Sequence, residues 1–331
     1  MADKILVIGG SGFIGTHVSR QLVERGDHVI NYDLRPWGPQ LDWLIAPYKG
    51  GIAFEQGSVE SWPQLMAALK QHRPNKIAHL AAPIDLLGLN RNPKMAFDVI
   101  AAGTINVLEA CRLSDIERFV FFSSIGVLPT IQYQPIDANH PVLMADQGPG
   151  SGAYGSAKVA GEAFCWAYRS SYGLDFVIIR PSAAYGFHTT NPTIFINTMV
   201  DAAVRGEPLH FESGREFPRD YTHVQDIAGI TVAALNVPSD RLRHRVFYAA
   251  TGRELVTAGQ VAEIVKSFIP SAQIEMASGL SEQDRLGIKF RGVHDMQPVE
   301  EQLGYTVQFS DIREGIREYI ETTRRYYEST K

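Results

Sequence analysis

The sequence predicts an α/β fold in which a doubly wound parallel sheet is followed by a smaller C-terminal α/β domain. Three observations support this prediction: short apolar runs alternate with longer helix-like segments, a glycine-rich turn follows the first run, and the alternation changes after about residue 181. Strands that alternate with helices pair in parallel through right-handed crossovers, so helices cover both faces of the sheet. The chain has 331 residues, which is enough for two domains of roughly 100–200 residues each.

The first half supplies the strands and helices of the predicted sheet. Five apolar runs of strand length are separated by four segments with helical periodicity. The strands are Ile5–Ile8, His28–Tyr32, Lys76–Leu80, Phe119–Ser123 and Phe176–Arg180, and the helices are Phe13–Arg25, Trp62–Gln71, Met95–Leu113 and Tyr154–Tyr172. In the second half, residues 192–205 and His223–Leu235 predict helices, Val246–Ala250 predicts a further strand, and two amphipathic helices are expected after Val256.

Composition and charge exclude several classes of protein. The chain is 45% hydrophobic and 20% charged, as in a soluble globular protein, and its net charge of −5 leaves no basic surplus for a nucleic-acid backbone. No apolar run reaches the roughly 18 residues of a membrane-spanning helix, and no signal peptide precedes the first strand. Cys111 and Cys165 cannot form a disulfide framework and lack the spacing of a metal site. We therefore predict a cytoplasmic protein that binds no nucleic acid, membrane or metal.

The first strand runs into a glycine-rich loop and then a helix, which is the order that dinucleotide binding requires. Gly9, Gly12 and Gly15 follow the spacing G-x-x-G-x-x-G, which permits a tight turn and lets the backbone approach a pyrophosphate at the helix N-terminus. Asp33 ends the second strand, where it can accept hydrogen bonds from the hydroxyls of the adenosine ribose. Because a carboxylate repels a 2′-phosphate, we expect NAD rather than NADP, although Arg35 could bind that phosphate instead.

Three polar residues predict a hydride-transfer site beside this loop. Tyr154 and Lys158 lie four residues apart on one helical face, so the ammonium group and the positive ring of a bound nicotinamide favour the phenolate of Tyr154. That phenolate can remove a proton from a substrate hydroxyl while a hydride leaves the same carbon. Ser124 follows Ser123 at the carboxyl end of the fourth predicted strand, where parallel sheets place their ligands, and it can hold the reacting oxygen.

Six regions in this order resemble the extended short-chain dehydrogenase/reductases, in particular the NAD-dependent epimerase/dehydratase group. They are Gly9–Gly15, His79–Ala82, Phe122–Ser124, Tyr154–Lys158, Arg180–Pro181 with Tyr185–Gly186, and Arg219–Val224. The resemblance covers nearly the whole chain and implies a Rossmann fold, an NAD-dependent enzyme and a catalytic triad of Ser124, Tyr154 and Lys158. It also implies that Arg219 meets the diphosphate of a nucleotide sugar.

The resemblance further implies which residues contact the cofactor and how the chain divides. The cofactor residues are Gly9, Gly12, Phe13, Ile14, Gly15, Asp33, Arg35, Ser58, Val59, Leu80, Ala81, Ala82, Ser123, Tyr154, Lys158 and Pro181. The dinucleotide-binding domain is expected to comprise residues 1–181 and 224–251, and the substrate-binding domain residues 182–223 and 252–331. Relatives of this kind often pair two subunits through the equivalents of the third and fourth predicted helices, so a homodimer is expected.

Several positions depart from the family pattern and bear on the substrate. Ile100 and Ala183 stand where members commonly have Asn, and the Asn at the second position contacts the substrate diphosphate. Ser58 replaces a frequent acidic residue of the loop on the adenine side. Ser124 is followed by Ile-Gly rather than by the Asp-Glu of sugar 4,6-dehydratases, which disfavours dehydratase chemistry.

These observations leave the net reaction on a sugar-type substrate open. Arg219 favours a nucleotide-sugar epimerase, which returns the hydride to the other face of the same substrate. Ala183 favours a net dehydrogenase or reductase of an unactivated sugar, sugar acid or other hydroxy compound. A cofactor-binding regulator without catalysis is the third alternative, and the intact triad disfavours it. Besides Ser124 and Arg219, the candidate substrate contacts are His188 and Asn191.

Overall fold

Seven parallel strands form the central sheet of the computed structural model, which describes residues 2–188 and 194–330. In chain order the strands are β1 (Lys4–Ile8), β2 (His28–Asp33), β3 (Ile52–Gln56), β4 (Lys76–His79), β5 (Arg118–Phe122), β6 (Phe176–Pro181), β7 (Ala183–Tyr185), β8 (Leu209–Phe211), β9 (Pro218–Arg219), β10 (Tyr221–His223), β11 (Val246–Ala249), β12 (Val256–Thr257) and β13 (Ile274–Met276). The order across the sheet is β3-β2-β1-β4-β5-β6-β11, so the strand order reverses between β1 and β4. This sheet confirms the predicted α/β class.

Helices cover both faces of the sheet, as a doubly wound fold requires. They are α1 (Phe13–Glu24), α2 (Pro39–Ile45), α3 (Trp62–His72), α4 (Leu86–Arg91), α5 (Pro93–Met95), α6 (Gly103–Leu113), α7 (Gly152–Tyr172), α8 (Phe195–Arg205), α9 (Val224–Asn236), α10 (Ala258–Phe268), α11 (Glu282–Gly287) and α12 (Ile312–Ser329). Helices α1 and α9 pack on one face, whereas α3, α6 and α7 cover the other. A π-helical segment, Ala96–Ala102, joins α5 to α6, so the predicted helix Met95–Leu113 is one continuous helical stretch.

The strands form where consecutive apolar residues can be buried on both faces of the sheet. All five residues of β5 are buried, and Leu6 of β1 pairs with Ile30 of β2 and with Ile77 of β4. Continuous apolar runs of this kind are typical of parallel sheets. The sequence did not reveal β3, because this edge strand is only partly buried and has no continuous apolar run.

The second half of the chain adds a smaller group of helices beside the sheet. Helices α8, α10 and α12 pack around a third core that includes Ile196, Val200, Val261 and Ile316. Three short strand pairs accompany this core: β7 with β10, β8 with β13, and β9 with β12. The domain limits given above stay a prediction. Among the described residues, no helix combines the length and the apolar character that crossing a bilayer demands.

Candidate active site

A cavity of about 1770 Å³ opens at the carboxyl ends of the sheet strands, next to the point where the strand order reverses. Ligands bind at such a point in open α/β sheets. The volume exceeds the roughly 300–1,000 Å³ of a pocket for one small ligand, so the cavity has room for a dinucleotide and a second ligand. Every residue predicted to contact the cofactor lines this cavity, and so do Ser124 and Arg219.

The glycine-rich loop between β1 and α1 is shaped for the close approach of a pyrophosphate. Gly9 has a φ of +84°, and a Cβ atom there would lie 2.7 Å from the backbone nitrogen of Ala81. A Cβ atom on Gly15 would overlap the carbonyl oxygen of Gly9. Gly12 caps α1 without a side-chain hydrogen bond, so no capping side chain occupies the N–H groups at the start of the helix. The loop therefore fits a dinucleotide phosphate bound at a helix N-terminus.

Asp33, at the end of β2, holds this loop through a hydrogen bond. Its Oδ2 accepts a hydrogen bond from the backbone N–H of Ser11 at 3.0 Å. Burial raises the pKa of Asp33, and hydrogen bonds from backbone N–H groups oppose this effect. In addition, the indole N–H of Trp37 donates to the carbonyl of Gly10 at 3.2 Å. Arg35 is exposed and lines the cavity, as Asp33 does, and the contact of either residue with adenosine stays a prediction.

Ser124, Tyr154 and Lys158 meet at the carboxyl end of β5. Ser124 Oγ accepts the N–H of Gly126 at 2.9 Å, which leaves the serine proton for a reacting oxygen. Lys158 Nζ lies 5.7 Å from the centroid of the Tyr154 ring, on the same face of α7. The ammonium group also donates to the carbonyl of Phe122 at 2.5 Å. The fold thus brings the three predicted catalytic residues together, and their roles stay a prediction.

Burial dominates the protonation of Tyr154 and Lys158. It raises the pKa of Tyr154 to about 12, against a hydrogen bond with Ser124 that lowers it. Burial lowers the pKa of Lys158 to about 7, against the attraction of Glu162. We expected the ammonium group to lower the pKa of the phenol. In the protein alone, burial outweighs that effect because it penalises the charged form of both groups.

Two arginines also line the cavity. Arg219 on β9 is buried and lies 4.7 Å from the ring of Phe217, and Arg291 lies 4.6 Å from the ring of Phe290. Burial and the charge of Arg219 lower the pKa of Arg291 to about 9. Sequence reasoning missed Arg291. No motif in the sequence pointed to this residue.

The remaining predicted contacts differ in their placement. Ala183, which stands where family members commonly have an Asn, is buried and lines the cavity. His188 has a φ of +59° and is not among the described residues that line the cavity. Asn191 lies outside the described residues. The roles of His188 and Asn191 stay predictions.

Several known proteins are similar to this chain. A Methanocaldococcus jannaschii protein with the provisional name UDP-glucose 4-epimerase is 29% identical over 326 residues, which cover 96% of this chain and 97% of that protein. The crystal structure of the Thermus thermophilus UDP-glucose 4-epimerase with NAD has a TM-score of 0.78 at 25% identity and covers 97% and 99% of the two chains. The Thermotoga maritima UDP-glucose 4-epimerase with UDP-glucose has the same fold, with a TM-score of 0.82 at 24% identity and coverage of 98% and 99%.

The family profile described as "NAD dependent epimerase/dehydratase" matches residues 5–250, which is most of the chain. This match confirms the predicted enzyme class, an NAD-dependent enzyme of the extended short-chain dehydrogenase type, and the predicted cofactor NAD. It also agrees with the doubly wound sheet and with the glycine-rich loop that fits a dinucleotide. The chain therefore belongs to the NAD-dependent epimerase/dehydratase family.

Proposed function

We propose that this enzyme epimerises a nucleoside-diphosphate sugar at a secondary hydroxyl carbon. The observation that carries the proposal is the presence of Arg219 and Arg291 in the cavity that also contains the triad. Two neighbouring arginines whose charged forms are disfavoured by burial are stabilised by an anion, and the planar guanidinium group suits phosphate oxygens. Asp284 lies on the same wall and partly offsets the charge of Arg219. A diphosphate with two negative charges matches this end of the cavity better than an uncharged sugar.

Aromatic side chains support a nucleoside next to the diphosphate. Phe195 of α8 and Phe211 of β8 both line the cavity, and their rings meet edge to face at 5.1 Å between centroids. Nucleobases stack on aromatic rings, because every base has an apolar face. The cavity thus offers, in addition to the cofactor site, an aromatic part for a base, a cationic part for phosphates and the triad for the sugar.

The triad supplies the proton transfers of an epimerisation. When bound, NAD accepts a hydride from the reacting carbon and can return it, and its positive ring favours a nearby phenolate. Tyr154 takes the proton of the substrate hydroxyl and gives it back to the same oxygen at the end. Ser124 donates a hydrogen bond to that oxygen, while the charge of Lys158 favours the phenolate over the phenol. In an epimerisation, the keto sugar rotates inside the cavity before the proton returns to its oxygen.

The first experiment follows UDP-sugars incubated with the protein and NAD, by absorbance of NADH and by chromatography of the sugars. We expect a new sugar isomer without net NADH. Accumulating NADH on a free sugar or sugar acid would instead establish the dehydrogenase alternative, and the absence of turnover on every compound would favour a regulator. Tyr154→Phe is expected to abolish turnover and to leave the NAD affinity within about twofold. Tyr168→Phe, on the same helix but outside the cavity, is the matched control.

Arg291 tests the substrate class. Arg291→Met removes the charge and keeps a long apolar side chain, so we expect the KM for the nucleotide sugar to rise at least about tenfold, a loss in the range of charged hydrogen bonds. The NAD affinity is expected to stay unchanged. Arg285→Met controls for the loss of one positive charge, because Arg285 is an exposed residue of α11 that is not among those described as lining the cavity. An unchanged KM in Arg291→Met would contradict a diphosphate at this end of the cavity.

We also propose that the protein is a cytoplasmic homodimer paired through α6 and α7. These helices pack side by side with the π-helical segment. Phe97 of that segment is 60% exposed, and Phe164 and Tyr172 of α7 are 41% and 59% exposed. Large apolar side chains exposed together are typical of an interface, and a second copy is the expected partner. A monomeric mass in solution would contradict the dimer. The cytoplasm is the proposed compartment because Cys111 and Cys165 are both free and buried.

A further inference from the structure

A buried ion pair lies directly behind the proposed triad. Glu162 of α7 and Arg180 of β6 form two parallel hydrogen bonds, 2.9 Å from Nε to Oε1 and 2.6 Å from Nη2 to Oε2. Both side chains are less than a tenth exposed. Glu162 is one helical turn beyond Lys158, on the face of α7 that turns toward β5 and β6. The sequence motifs did not single out this glutamate.

The carboxylate of Glu162 also accepts a third hydrogen bond. Ser123 Oγ donates to Oε1 at 2.5 Å. Lys158 holds the preceding residue, Phe122, by its carbonyl oxygen at 2.5 Å. Two side chains of α7 therefore bind consecutive residues at the end of β5, immediately before Ser124. The position of Ser124 relative to α7 depends on these two contacts.

Arg180 anchors the other side of the pair. Its Nη1 donates to the hydroxyl of Tyr248 on β11 at 3.1 Å, and that hydroxyl donates to the carbonyl of Asp137 at 3.2 Å. Arg180 directly precedes Pro181, which lines the cavity. One ion pair thus connects α7 with the ends of β5, β6 and β11. Stability alone does not require such a pair, because apolar residues of similar volume often replace a buried ion pair without loss.

The charged and titratable groups around Lys158 show how the ion pair affects the protonation of this lysine. Glu162 acts on Lys158 from α7, and His79 acts on it from β4. Arg180 lies behind Glu162, on β6. Burial lowers the pKa of His79 to about 3, so this imidazole is neutral at pH 7. Glu162 is the one carboxylate that acts on Lys158 among the described residues. Its negative charge therefore opposes the loss of the Lys158 proton that burial favours.

We propose that Glu162, which Arg180 holds in place, is a positioning residue: it fixes Ser123 and the adjoining Ser124, and its negative charge keeps Lys158 in its charged form. The inference rests on the proposed function only in treating Ser124, Tyr154 and Lys158 as the reacting groups. The state of Lys158 can be measured without any substrate. A failure of this inference is therefore distinguishable from a failure of the proposed reaction.

The test is the titration of Lys158 in protein labelled with ¹³C in its lysines, followed by NMR, with Lys158→Met to assign the resonance. Glu162→Gln keeps the shape and one acceptor of the side chain but removes its charge and leaves Arg180 unbalanced. Both effects disfavour the ammonium form, so we expect the midpoint of Lys158 to move to lower pH by about one unit or more. Glu109→Gln, on the neighbouring helix α6, is the control and should leave the midpoint unchanged. An unchanged midpoint in Glu162→Gln would overturn the proposal.

A second variant covers the case in which Glu162→Gln does not fold. Glu162→Gln combined with Arg180→Met removes both charges, and because Glu162 is the charge that acts on Lys158, we expect a Lys158 titration midpoint below that of the wild type. A midpoint equal to that of the wild type would contradict a role for the carboxylate. Once a substrate is known, Glu162→Gln is expected to lower kcat about tenfold or more while KM and the NAD affinity stay within about twofold. A purely structural role would lower the melting temperature and leave the Lys158 midpoint in place.

Discussion

The side-chain oxygen of Gln134 accepts the backbone N–H of Val293 at 2.8 Å, and this bond joins the loop after β5 to the segment that carries Arg291. Two backbone contacts accompany it: the N–H of Ile136 donates to the carbonyl of Val293, and the N–H of Asp295 donates to the carbonyl of Ile136, both at 2.8 Å. The loop that follows Ser124 therefore helps to fix the position of Arg291, the proposed phosphate contact.

From this contact we predict that Gln134→Leu weakens substrate binding more than catalysis. The leucine cannot accept the N–H of Val293, so the segment with Arg291 loses one of its attachments. We expect KM for the nucleotide sugar to rise about threefold to tenfold, in line with the loss of one hydrogen bond, and kcat to stay within about twofold. Steady-state kinetics measure both. Gln132→Leu, exposed in the same loop, is the control, and an equal loss of kcat in Gln134→Leu would contradict the prediction.

The two arginines show where sequence reasoning succeeds and where it stops. Gly9, Gly15, Tyr154 and Lys158 were predictable because each role depends on a local pattern of spacing within one strand, loop or helix. Arg291 lies far from Arg219 in the sequence and comes close to it only through tertiary packing. No spacing in the sequence predicts this proximity.

The protonation of Tyr154 and Lys158 also depends on tertiary packing, which the sequence does not show. The sequence predicts that Lys158 lowers the pKa of Tyr154, yet the protonation of both groups is set mainly by how completely the fold excludes water from them. The sequence likewise did not predict the ion pair of Glu162 and Arg180, because the two residues come from different elements, α7 and β6. The sequence did not predict β3 for a different reason. This strand lies at the edge of the sheet and is only partly buried, so it needs no continuous apolar run.

Asp33 is predicted to select NAD over NADP. Asp33→Asn keeps an oxygen for the N–H of Ser11 but removes the charge that would repel a 2′-phosphate. We expect the affinity for NAD to fall about tenfold and the preference for NAD over NADP to narrow by about the same factor. Calorimetric titration with each dinucleotide measures both. Arg35→Ala in the same background should remove any gain in NADP affinity, and a preference unchanged in Asp33→Asn would show that another residue selects the cofactor.

Gly15 is predicted to be indispensable to the cofactor loop even before any ligand binds. An alanine there would place its Cβ atom against the carbonyl of Gly9 and 2.7 Å from the Cα atom of Gly10, so the loop must open. We expect Gly15→Ala to lower the melting temperature without NAD and to reduce the NAD affinity at least about tenfold, because the first turn of α1 moves away from the pyrophosphate. Gly38→Ala is the matched control, since its Cβ atom would meet open space and its φ is −68°. Wild-type behaviour of Gly15→Ala would contradict the loop geometry.

Two buried histidines predict that the free energy of unfolding falls in mild acid. His17 of α1 and His79 of β4 are buried, and burial lowers the pKa of each to about 3, whereas an imidazole in the unfolded chain has a pKa of about 6.5. Between these values the unfolded state binds more protons, so the contribution of the two histidines to the free energy of unfolding is complete above about pH 6.5 and decreases by about 1.4 kcal/mol per pH unit for each histidine as the pH falls. We therefore expect the urea midpoint to drop from pH 7 to pH 5, and we expect His17→Leu to make this drop smaller, while the same replacement at exposed His28 leaves it unchanged. A slope that His17→Leu does not alter would mean that this imidazole is protonated in the folded protein.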